Sequence, residues 1–176
     1  MKIFRIDFDG TNFQAFSADE EEGMLKKLPL GLQPTPLPWV PPAVYVYDLL
    51  LKAGDFSEFW GRLAISPEAM LVVGEIIKPS CELLPLPVDG RIFTLANPLK
   101  CVDCLDHTKS TLFRNFFKNN YYFLPDRVPD VSAFKIPESV VETFVVERTG
   151  DPKKEFKAAV GQHGLTGLTF KQVWEG

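Results

Sequence analysis

The stretch FRIDFDGTNF, residues 4–13, decides which fold the rest of the chain must build. Phe4, Ile6 and Phe8 alternate with Arg5 and Asp7, and Lys2 and Ile3 extend the run upstream. That period of two predicts a strand over residues 2–8. Asp7 and Asp9 stand two apart at its end, so a continuing strand points both carboxylates the same way. One reading makes them a pair of carboxylates that work together at the strand's end. The same residues also suit a plain strand and turn, with Asp9-Gly10 supplying the turn. If the strand belonged to a parallel, doubly wound sheet, strands would alternate with helices of about ten residues or more. A plain strand and turn needs only antiparallel neighbours.

Downstream, two good helices stand among proline-punctuated strands. Ser66-Pro67-Glu68 predicts a helix start, with Ser as N-cap and Pro at the first position. Met70, Val73, Ile76 and Ile77 then share one face, and Pro79 ends the helix. Asp151-Pro152 predicts the start of a second helix. Phe156, Ala159 and Val160 form its stripe, and Gly164 stands at its C-terminal cap. Strands are predicted at 44–47, 82–88, 91–97, 121–124, 133–136, 143–147 and 168–174. Asp89-Gly90 between two of them signals a hairpin, and Pro85 and Pro87 predict an edge strand. In the last strand, Leu168, Phe170, Gln172 and Trp174 fall on one face.

Residues 29–42, PLGLQPTPLPWVPP, hold six prolines. Such a segment is extended rather than helical. Its leucines and Trp39 read as anchors on the chain's own core, although Pro38-Trp39-Val40-Pro41 also fits a ligand for an aromatic groove. The fold class expected is therefore α+β: a mostly antiparallel, proline-punctuated sheet with two main helices, one compact unit with an irregular N-terminal part. Residues 1–62 are expected to form an N-terminal subdomain and residues 63–176 an α+β domain.

The chain has 176 residues, 45% of them hydrophobic and 24% charged, with a net charge of −4. Mild acidity opposes a nucleic-acid partner, which selects a basic face. No apolar run approaches the roughly 20 residues needed to span a bilayer, and no secretion signal is visible. Three cysteines make a poor disulfide framework and point to a reducing cytoplasm. The acidic run Asp19, Glu20, Glu21, Glu22 reads as a solvated loop or helix start, or as a docking surface for a basic partner.

Asp7-Phe8-Asp9-Gly10-Thr11 resembles the first motif of the haloacid dehalogenase superfamily, which implies Asp7 as nucleophile, Asp9 as acid and base, and magnesium. Asp103 and Asp106 are the best candidates for the later metal-binding pair, without that family's glycine lead-in or spacing. An EF-hand reading of Asp7, Asp9 and Thr11 fails, because Ala18 stands where the bidentate Glu belongs. Cys81, Cys101, Cys104 and His107 form a Cys₃His set that admits zinc. The same cysteines also read as small buried hydrophobes or as a redox pair. His163 reads as a helix-end residue. No nucleophile is paired by motif with either histidine, so a hydrolytic triad has little support.

Across most of its length the sequence resembles a bacterial family of immunity proteins of polymorphic toxin systems. The likeness rests on Cys81-Glu-Leu-Leu-Pro-Leu86, Phe93-Thr-Leu-Ala-Asn97, Cys101-Val-Asp-Cys-Leu-Asp106, Phe134-Lys-Ile-Pro-Glu138 and Gly164-Leu-Thr-Gly-Leu-Thr-Phe170. Phe13-Gln14, Trp39-Val-Pro-Pro42 and Gly54-Asp-Phe56 extend it to the N-terminal part. The resemblance implies a non-enzymatic cytoplasmic protein without a cofactor. It would bind and neutralise a cognate toxin encoded by the adjacent gene. No catalytic residue follows from it, and the oligomeric state is left open. The expectations that compete with it are the magnesium phosphatase on Asp7 and Asp9 and the zinc-stabilised binding module.

Overall fold

A computed structural model describes residues 1–18, 28, 32–112 and 119–176. The acidic run 19–22 lies outside the described residues, as does Pro29. Strand β1 (Lys2–Phe8) runs between β10 (Leu168–Glu175) and β9 (Ser139–Glu147), and β9 carries β8 (Ala133–Ile136) on its other side. Every pairing in this sheet is antiparallel. FRIDFDGTNF therefore feeds a strand and turn: Asn12 N donates to Asp9 O at 3.2 Å, and Phe13 N to the same oxygen at 3.0 Å.

A second antiparallel sheet has the order β4 (Phe56–Phe59), β5 (Arg62–Ile65), β7 (Arg91–Pro98), β6 (Cys81–Val88). Strands β2 (Phe16–Ala18) and β3 (Val44–Val46) form a two-stranded antiparallel ribbon. The expected single sheet thus resolves into three. With helices α1 (Pro67–Ile77) and α2 (Phe156–Gln162), the described residues make an α+β fold. The boundary expected at 62/63 falls inside the β4–β5 hairpin, and β1 pairs with strands from the far end of the chain.

Three apolar clusters hold these layers together. Phe4, Val145 and Ala133 of the first sheet meet Phe56, Leu63 and Ile65 of the second, with Val73 and Ile77 of α1 and Phe156, Ala159 and Val160 of α2 between them. The opposite face of the second sheet, with Phe59, Leu84, Leu86, Phe93 and Leu95, is covered by Phe16, Val44, Val46, Leu28 and Trp39. The opposite face of the first sheet, with Ile3, Phe134 and Phe144, is covered by Cys104, Leu105, Tyr121 and Phe123.

Local chemistry explains the elements. Ser66 Oγ accepts from Ala69 N at 3.1 Å, and Pro67 sits at the first helical position, where its missing donor costs nothing. At the β6–β7 turn, Asp89 and Gly90 have φ of 47° and 77°, the paired positive values that a two-residue hairpin turn needs. Pro85 and Pro87 lie on β6 at the sheet's edge, as expected.

Three expectations need correction. Helix α2 begins at Phe156, not at Asp151-Pro152. Asp151 is consumed by a turn, accepting from Lys153 N on Oδ1 and from Lys154 N and Glu155 N on its carbonyl; Ser132 Oγ then accepts from Phe156 N at 2.8 Å. Residues 121–124 form no strand; Phe123 makes one isolated bridge to Leu105. In β10 a bulge opposite Ile3 and Phe4 shifts the register, pairing Trp174 with Ile3 and Gln172 with Phe4. Leu168 and Phe170 consequently pack in the first cluster and Val173 and Trp174 in the third.

Candidate functional site

The carboxylates of the opening stretch are engaged separately. Asp7 Oδ2 accepts from Arg5 Nη2 at 2.8 Å, and Arg5 Nη1 reaches Glu142 Oε1 at 3.0 Å. Hydrogen bonding to Asp7 raises the Arg5 guanidinium further above its ordinary value. Glu142 also accepts from the Tyr121 hydroxyl, whose pKa is pushed up, first by burial and then by that carboxylate. Asp9 instead accepts from Asn12 Nδ2 at 2.9 and 3.0 Å. Asp106 is held by Thr108, whose N and Oγ1 donate to its Oδ1 at 3.0 and 2.6 Å. Asp7, Asp9, Asp103 and Asp106 therefore do not converge, and β1 lies among antiparallel neighbours rather than in the parallel sheet that dehalogenase chemistry requires.

The cysteine loop is built by pairing across the chain. Lys135 N donates to Lys100 O at 2.8 Å and Val102 N to Lys135 O at 2.9 Å, laying residues 100–102 beside β8. Leu124 N donates to Cys104 O at 2.8 Å and tucks Cys104 under the third cluster. Burial pushes the Cys104 thiol up to about 12, with Glu138 and Asp103 adding to it, and pushes Cys81 up to about 11. Cys101 is raised by burial and by Glu138. These are protonated thiols at neutral pH, unlike the low-pKa thiolate of a redox or nucleophilic cysteine. No three ligand atoms of the set Cys81, Cys101, Cys104 and His107 gather within 4.8 Å.

His107 keeps different company. Its Nε2 lies 3.5 Å from Asp103 Oδ1 and 3.3 Å from Glu138 Oε1. Glu138 stands in the β8–β9 turn, and its other oxygen, Oε2, is buried without a hydrogen-bond partner. Sequence reading missed Glu138 because no local signal links it to residues 103–107. The Cys101–Lys135 bridge and the packing of Cys104 and Leu105 with Phe134 and Ile136 bring the two segments together. His163 is the exposed C-cap residue of α2, as expected.

The proline-rich segment is the other distinctive surface. Thr35 N and Oγ1 donate to Glu82 Oε2 at 3.0 and 2.7 Å, and Trp39 packs on the second cluster. The leucines of the segment are not the expected anchors: Leu32 is half-buried, Leu37 is 82% exposed, and Leu30 lies outside the described residues. Among the described residues, six of the eleven exposed large apolar side chains lie between positions 37 and 50: Leu37, Val40, Tyr45, Tyr47, Leu49 and Leu50. No protein-family model matches the chain, and no curated protein matches its sequence. No helix among the described residues is long and apolar enough to cross a membrane.

Proposed function

We propose that this protein acts by binding another protein, as an immunity protein that covers the working surface of a cognate toxin in the cytoplasm and performs no catalysis. The observation that carries this reading is the exposed apolar segment from Leu37 to Leu50, fixed to the second sheet through Glu82 and Trp39. Apolar side chains held in the open by a rigid frame match a partner-binding patch better than a reaction centre. Tyr45 and Tyr47 offer amphipathic rings of the kind that dominate protein interfaces. Asp19, Glu20, Glu21 and Glu22 follow β2 directly in the sequence, and β2 pairs with β3, which carries Tyr45. An acidic run so connected would steer a basic toxin onto the patch. Neutralisation calls for nanomolar affinity, about −12 kcal/mol, concentrated in a few buried anchors.

The test is co-expression with the product of the adjacent gene. Recovery of a stable complex, together with rescue of growth, is the expected result. Leu49→Asp combined with Leu50→Asp should weaken the complex without moving the melting temperature, because both side chains lie in solvent. Undiminished toxin activity in the presence of a molar excess of this protein would defeat the reading.

A further inference from the structure

We propose that Asp103, His107 and Glu138 bind a single zinc ion that clips the cysteine loop to the β8–β9 turn. The set differs from the four residues singled out by cysteine spacing, and it shares only His107 with them. Its three donors come from two segments, 31 residues apart between His107 and Glu138, brought together by the bridge of Cys101 to Lys135. One imidazole nitrogen and two carboxylates are a donor set that zinc accepts, with water in the fourth position.

The distances fit a cation shared among the three groups, whose ligand atoms all lie within 4.8 Å of one another. Zinc–ligand bonds of about 2.0–2.2 Å imply edges of about 3.3–3.6 Å between ligands of a tetrahedron. His107 Nε2 stands 3.3 Å from Glu138 Oε1 and 3.5 Å from Asp103 Oδ1. A charge-assisted N–H···O bond would be about 2.7–2.9 Å long. Glu138 Oε2 supplies an independent sign. It is buried and unpartnered, an expensive state for a carboxylate oxygen unless a positive charge lies close to the group. His107 and Asp103 have side chains 60% and 61% exposed, which leaves the site open to entering metal and to a water ligand. The inference stands independently of toxin binding.

The experiment is calorimetric titration of the chelator-stripped full chain with zinc chloride under reducing conditions, with cobalt(II) as a spectroscopic reporter. One zinc per chain is expected, with a rise in melting temperature and a cobalt spectrum free of thiolate charge-transfer absorption. Asp103→Asn, His107→Ala and Glu138→Gln should each weaken binding by about tenfold or more, since losing a ligand costs at least as much as losing an outer-shell partner. Cys81→Ser and Cys101→Ser should leave it unchanged. The exposure of Asp103 and His107 keeps those two variants folded, which circular dichroism checks. Absence of binding would overturn the proposal. So would binding that survives Glu138→Gln and Asp103→Asn but shows a thiolate band and is lost in the cysteine variants.

Discussion

The indole Nε1 of Trp39 donates to the carbonyl of Pro85 at 2.8 Å, so the proline-rich segment caps the open edge of the second sheet. Pro85 sits on edge strand β6 and brings no N–H of its own, and Trp39 takes up the carbonyl that faces outward. Trp39→Phe keeps the ring and removes the donor. It should lower stability by about 1 kcal/mol, the net worth of a hydrogen bond partly open to water. Urea unfolding should show an earlier midpoint with an unchanged slope, since the surface exposed on unfolding stays the same.

Two glycines with positive φ should respond very differently to alanine. Gly164 has φ of 61° and open space where a Cβ would stand, so Gly164→Ala should cost only the left-handed backbone penalty of about 1 kcal/mol. Gly167 has φ of 101°, and a Cβ there would run into the backbone carbonyl of Phe56. This is the point where β4 meets the start of β10: Asp9 N donates to Gly167 O at 3.1 Å and Phe56 N to Thr166 O at 3.0 Å. Neither backbone can retreat without breaking those bonds. Gly167→Ala should therefore cost about 3 kcal/mol or more and yield little folded protein. Comparing the two melting curves checks the contrast.

Stability should peak in mildly alkaline solution. Lys135 is 4% exposed, and burial, assisted by the charge of Arg62, lowers its pKa from 10.5 to about 8. Between those values the unfolded chain holds the proton and the native chain does not, so stability rises with pH across that window. Cys81 and Cys104 act in the opposite sense: their native pKa values of about 11 and about 12 lie above the ordinary 9.0. Their contribution is complete below pH 9 and is lost as pH climbs beyond it. Together these groups place the maximum between about pH 8 and 9. Lys135→Met should remove the rising arm and stabilise the protein at pH 7 by about 2–4 kcal/mol. Unfolding free energies measured from pH 7 to 10.5 in reducing buffer check both arms.

The parts legible in the sequence are those whose chemistry is local. Ser66-Pro67 fixed the start of α1, and Asp89-Gly90 fixed the β6–β7 hairpin, because each encodes its own backbone geometry. The β4–β5 hairpin escaped notice because its two-residue turn is Trp60-Gly61, with Trp60 at φ 52°. Tryptophan is no turn former; here its ring packs against the second cluster, and tertiary burial offsets the backbone cost. The division into three sheets was equally hidden, since β1 chooses β9 and β10, more than a hundred residues away. For the same reason cysteine spacing suggested one ligand set while long-range pairing assembled another around His107 and Glu138. The exposure of Leu37, Leu49 and Leu50 was invisible too, because a leucine does not announce which side of a core it will lie on.

Glu155 should couple the loop before α2 to acid. Its Oε1 accepts from Arg148 N at 3.0 Å and from Thr149 N and Oγ1 at 2.9 Å each, and its Oε2 accepts from Gly150 N at 2.8 Å. Burial works to raise this carboxyl, but the four hydrogen bonds together outweigh it and hold the pKa below the usual 4.5. A carboxyl depressed in the native state contributes stability that is present above its unfolded pKa and lost as pH falls through the native one. Glu155→Gln keeps one acceptor oxygen, loses the charge and sets an amide NH2 against a backbone donor, so it should flatten the loss of stability below pH 4.5 by carrying that loss already at neutrality. Glu155→Ala removes all four acceptor contacts. Residues 148–150 are exposed, so their freed N–H groups find water, and the cost should be about 2 kcal/mol at pH 7 rather than a collapse of the fold. Amide hydrogen exchange distinguishes this outcome from general destabilisation: protection should fall at Arg148, Thr149 and Gly150 in the alanine variant while the amides of β1 and β9 stay protected.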